Sequence, residues 1–335
     1  MPSMGVDKPD ERQRGRERRP RGAAIREMLS RNGALGGLVL MVIVLTILSA
    51  DFLTVENVLN IGTQAAVIAI LAYGQTFVVV AGGIDLSVGS VLGLTGVILG
   101  WLIASASLAW PLAVLLALAV GLLAGLVNGL LITFGRMPAF IATLAMLSAA
   151  RGLALVISGG IPVSGLPSML RTFGSGDLFN IVPYPFLVML VMFAITAFIL
   201  QRTYAGRCMY AIGGNEEAAR LSGINVTRQK LVIYGLSGLF AGVAGVLSTA
   251  RLASAQPQAG TGFELDAIAA VVIGGASLTG GVGTATGTLI GALILGVLRN
   301  GLNLLAVSSF WQQVVIGVVI VLAVLTDTLR RRRNA

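Results

Sequence analysis

Apolar residues fill this chain in long blocks rather than in alternation. Ten blocks stand out, near residues 33–50, 62–81, 86–104, 109–134, 138–158, 184–201, 230–250, 266–281, 284–306 and 310–328. All but the eighth reach about 18 residues, enough for a helix to cross the hydrocarbon core of a bilayer. Prolines such as Pro111, Pro138, Pro183 and Pro257 fall at block edges or in the connections, where helices start or stop. The pattern predicts an all-α polytopic membrane protein with about ten transmembrane helices over residues 32–329. Two longer connections interrupt it. Residues 159–183 are rich in Gly and Pro, and residues 202–229 have helical character.

Charge orients this frame. Only 11% of the residues are charged, against roughly 25% in soluble domains. Residues 1–31 hold nine of the basic side chains and read as a disordered cytoplasmic tail, without the form of a signal peptide. Residues 330–335 form a second basic end. With the N-terminus inside, every Lys and Arg except Arg151, Arg171, Arg251 and Arg299 falls on the inner side. The outer loops then carry Asp51, Glu56, Asp177 and Glu264. The positive-inside rule therefore predicts cytoplasmic termini, an outer 159–183 loop and an inner 202–229 loop. Basic flanks of this kind meet membrane lipid, and nucleic acid is not an expected partner.

Composition also removes whole classes of chemistry. The chain has no histidine and one cysteine, Cys208. That excludes a Ser–His–Asp triad, an HExxH zinc site and a disulfide framework. Neither Lys8 nor Lys230 lies in a phosphate-binding loop. No catalytic residue, metal ligand or cofactor site is expected, and ATP would have to be bound by another chain.

The most telling acid lies in Gly82–Leu94, GGIDLSVGSVLGL, between two apolar blocks. A charged side chain inside a bilayer costs about 2.5–3.5 kcal/mol on insertion scales and needs a partner, water or a function. Gly83, Asp85 and Ser87, with Asn128 and Asn300 from other spans, are candidates to line or gate a polar path. The alternative for Asp85 is a helix cap acting through Ser87. GLVNGLL (125–131) is similar to GVLRNGL (296–302), and GGIDLS to GFELDA (262–267). Both pairs are five spans apart, which predicts an inverted repeat. Glycines four apart, at 89/93, 121/125/129, 238/242 and 287/291, predict close helix packing.

Residues 213–223, GGNEEAARLSG, predict a short inner-side helix. Asn215 caps it, Glu216 and Glu217 meet its dipole, Ala218 and Ala219 leave a smooth face, and Gly223 ends it. Two turns are too few to be stable alone.

Glu217-Ala218-Ala219 followed by Gly223 resembles the EAA-x3-G spacing of ABC importer permeases. Together with GGIDLSVGSVLGL, Gly262–Gly281 and Gly287–Leu305, it makes residues 35–328 similar to the ribose/xylose/arabinose-type permease family. The resemblance implies a bacterial inner-membrane permease subunit for a monosaccharide, a ribose-like pentose or similar small sugar. It implies a second permease subunit, two ATP-binding subunits and a periplasmic sugar-binding protein. Residues 215–222 would be the coupling helix, with Glu217 in the ATPase groove. Arg171 and Arg251 would then meet acidic patches on the binding protein. The alternatives are a permease for branched-chain amino acids or nucleosides, an ion-driven carrier, and an aspartyl protease built on Gly174–Asp177.

Overall fold

The structure, a computed structural model, describes residues 33–179 and 181–334. The expected tail over residues 1–31 lies outside them. Thirteen helices are described: α1 Gly33–Leu48, α2 Val55–Val80, α3 Val88–Ala104, α4 Trp110–Thr133, α5 Ala139–Ser158, α6 Ser168–Ser175, α7 Tyr184–Arg202, α8 Tyr204–Gly214, α9 Glu216–Leu221, α10 Val226–Leu252, α11 Phe263–Ile273, α12 Ala285–Leu304 and α13 Ser309–Asn334. One small hairpin, β1 Asp177–Leu178 against β2 Val182–Pro183, pairs Asp177 with Pro183 and Leu178 with Val182.

Among the described residues, six helices are long and apolar enough to cross a membrane: α2, α4, α5, α7, α10 and α12. The chain is an all-α polytopic membrane protein. The apolar helices α1 and α3 are shorter, with 16 and 17 residues. The block at 266–281 departs furthest from expectation. Its helix, α11, has 11 residues, about 16 Å. Gly274 and Gly275 then end it, and a Gly-rich loop leads to α12. At the other shortened block, residues 83–87 are non-helical connecting chain before α3 begins.

Two long helices carry the core. α2 is almost wholly buried and packs against α7, α10, α11 and α12. α10 packs against α2, α3, α4 and α6. Its seam with α4 is made of glycines. A Cβ on Gly121 would strike the Gly238 carbonyl, one on Gly125 the Tyr234 carbonyl, and one on Gly238 the Gly121 carbonyl. The backbones touch because side chains are missing, the mode that drives helix association in lipid. Gly287 and Gly291 do the same between α12 and α11, against Gly274 and Ala270. Phe77 and Phe240 lock α2 to α10 edge-to-face at 5.5 Å.

Candidate functional site

The buried acid lies where α2, α3, α4 and α10 meet. Gly82, at φ 80, turns the chain out of α2, a conformation glycine adopts without a Cβ clash. Asp85 follows in the non-helical 83–87 segment and is 1% exposed. Its Oδ1 accepts the Ser87 N–H at 2.9 Å and the Ser87 hydroxyl at 2.6 Å. Its Oδ2 accepts the Ser237 hydroxyl from α10 at 2.8 Å. Asn128 of α4 donates Nδ2 to Ser87 Oγ at 2.9 Å. With its amide oriented so that both groups are satisfied, Gln75 of α2 brackets the Asp85 backbone, donating to its carbonyl at 3.1 Å and accepting its N–H at 3.2 Å. Both carboxylate oxygens are thus engaged, which is what makes burial of such a group tolerable. Asn128 Oδ1 is buried without a partner among the described residues. Tyr234 borders the cluster, its hydroxyl 2.5 Å from where a Cβ on Gly83 would stand.

Gly83, Asp85, Ser87 and Asn128 therefore share one site, and Asn300 does not join it. Asn300 exchanges amide hydrogen bonds with Asn57, at 2.7 and 3.0 Å, near the opposite end of α2. Ser237 and Tyr234 belong to the cluster although nothing in their sequence surroundings sets them apart.

The N-termini of the two short helices meet beside this cluster. The backbone of Gly260, just before α11, lies against Gly89 in the first turn of α3. Each N-terminus carries partial positive charge. Asp85 accepts the N–H of Ser87 just before α3, and Glu264 and Asp266 lie in the first turn of α11. Glu264 accepts the Gly262 N–H at 3.3 Å. Asp266 pairs with Arg299 of α12, whose guanidinium also lies 5.8 Å from the Phe263 ring centre. Arg151 of α5 donates to the Pro257 and Ala259 carbonyls and pins the chain entering α11.

The short helix expected at 215–222 is α9. Asn215 accepts the Ala218 N–H at 2.9 Å, and Gly223 at φ 86 ends the helix. Ala219 is buried with Ile212, Ile224 and Val226. Glu217, Ala218 and Leu221 face outward, Leu221 at 81% exposure. Glu216 turns toward α10 instead and accepts Lys230 Nζ on both oxygens, at 2.8 and 2.9 Å, and it also accepts the exposed Arg220 guanidinium at 3.3 Å. Behind α9 lies a cavity of about 860 Å³, bounded by Gly83, Arg136, Glu216, Arg220, Lys230 and Tyr234. At the end of α8, Gly213 lies against the Val80 carbonyl, which also accepts the Gly281 N–H at 2.8 Å. Thus α9 follows directly on a backbone junction with the end of α2 and the α11–α12 loop. Tyr210 reinforces the junction, donating to the Gly283 carbonyl at 2.7 Å.

At the opposite end of α10, Arg251 borders a cavity of about 430 Å³ with Glu56, Asn60 and Asp177. Arg171 is exposed on α6. Gly174 of that helix lies against the backbone of Ala250 and Arg251, so the two arginine-bearing helices pack together.

Comparison with known proteins agrees with this architecture. Residues 57–324 match the family described as branched-chain amino acid transport system / permease component. The ribose import permease protein of Bacillus subtilis (strain 168) is 49% identical over 92% of this chain and 95% of its own length. The ribose import permease protein of Escherichia coli (strain K12) is 48% identical over 89% and 94%. The xylose transport system permease protein of Haemophilus influenzae is 35% identical over 84% and 91%. No solved structure matches the chain. With the family match spanning most of the membrane domain and such relatives along nearly its full length, the chain belongs to this family of ABC importer permeases.

Proposed function

We propose that the chain is the permease subunit of an ABC importer for ribose or a closely similar small sugar. It forms the passage and is not an enzyme. The observation that carries this reading is the 49% identity, over nine-tenths of the chain, to a ribose import permease. The family description names branched-chain amino acids, which gives the test a second arm. A strain lacking its own ribose permease, complemented with this chain and its partner ATPase and binding protein, should take up labelled ribose. Uptake of leucine and not ribose would overturn the sugar reading.

The remaining assembly follows from the same proposal. The permease sits in the bacterial inner membrane with both termini cytoplasmic. The apolar helices α1, α3 and α13 and the half-length α11 complete a set of ten membrane segments. The packing supports an inverted repeat in which α2 matches α10: α12 packs on α2 as α4 packs on α10, and α11 on α2 as α3 on α10. A second permease copy completes the passage, and ATP is bound by partner ATPase subunits.

The outward face of α9, capped by Asn215 and ended at Gly223, is the contact for the ATPase, with Glu217 meeting its groove. Gly83, Asp85, Ser87 and Asn128 gate the path by fixing the non-helical 83–87 segment. Asn300, with Asn57, belongs to its outer half. Arg171 and Arg251 receive the periplasmic binding protein.

A further inference from the structure

We infer that the Glu216–Lys230 ion pair is a positioning latch, fixing α9 on α10 so that any displacement of α9 is delivered to the Asp85 segment. This rests on the reading of α9 as the ATPase contact. The six-residue helix cannot hold its own orientation. Its apolar anchorage is one small cluster around Ala219. Behind it is a cavity of about 860 Å³, so no packed side chain fills the space between α9 and the Arg136 loop. On that side the bond from Glu216 to Lys230 joins α9 to α10 directly, at 2.8 and 2.9 Å.

Lys230 is well placed to pass motion on. Ser237 stands seven residues further along the same helix, two turns on and on the same face. Ser237 is the residue that holds Asp85 Oδ2. Tyr234, one turn beyond Lys230, borders both the cavity and Gly83. The adjacent acids thus have separate tasks. Glu217 faces the partner, and Glu216 faces its own chain.

The test uses the reconstituted importer, with ATPase and binding protein, in liposomes. The readout is labelled ribose delivered per ATP hydrolysed. Glu216→Gln and Lys230→Met should each lower this ratio about fivefold, with the ATPase still co-purifying. Lys230→Arg should preserve it. The exchange Glu216→Lys with Lys230→Glu should recover most of it, which a merely structural disturbance would not. A normal ratio in the single variants overturns the latch, as does an exchange no better than they are. If a single variant fails to assemble, the exchange decides on the same ratio. Failure of the underlying reading looks different: Glu217→Lys would then retain both the ATPase and full uptake.

Discussion

At Asp85, burial and hydrogen bonding oppose each other. Removing the carboxylate leaves two serine hydroxyls without their acceptor in a buried site. Asp85→Ala should therefore cost about 2–4 kcal/mol and lower the unfolding temperature of the solubilised protein. It should also abolish uptake, because the 83–87 segment loses its hold. Asp85→Asn keeps an acceptor for the Ser87 N–H, and the Ser237 hydroxyl can reverse to accept from the new amide. It should retain assembly and most of the uptake. Loss of uptake in a stably assembled Asp85→Asn protein would show that the charge itself meets the substrate. The sequence made Asp85 conspicuous, because an acid among apolar blocks demands compensation. It could not show Ser237 as the compensator, since a serine in a Gly- and Ala-rich helix looks like packing. Nor could it separate Asn300 from Asn128. Both precede a glycine, and what divides them is a partner, Asn57, 243 residues away.

Elements were legible where their signal is local. The caps and stop of α9 are written in Asn215, the two glutamates and Gly223, and the helix lies where they put it. The glycine spacings foretold close approach, and the α4–α10 seam supplies it. Gly125→Val would drive a side chain into the Tyr234 carbonyl. It should destabilise the fold by about 3 kcal/mol, seen as loss of the monodisperse protein in size-exclusion chromatography. Glu217→Lys reverses an exposed charge without touching the core. It should leave membrane insertion intact and remove the ATPase from the purified complex. That the eighth block is short was legible, but the end of α11 at Ile273 was not, because hydropathy averages over the Gly-rich loop that follows. Gly274 and Gly275 mark the true end, yet glycines are too common in this chain to stand out.

For the molecule as a whole, topology follows from charges that lie outside the spans. In a Cys208→Ala background, Ser105→Cys should react with a membrane-impermeant maleimide added to intact spheroplasts. Ser222→Cys should react only after permeabilisation. The reverse labelling would invert the orientation. Both positions are exposed, and the native thiol is buried. The short α11 also bears on how the chain enters the bilayer during synthesis. A helix of 11 residues offers the insertion machinery too little apolar length to be accepted as a separate span. Its place is set instead by Arg299 and the glycines of α12, which emerge from the ribosome after it. The segment must therefore wait, partly inserted, until α12 arrives, and a nascent chain halted before that point should remain open to proteolysis between residues 253 and 283.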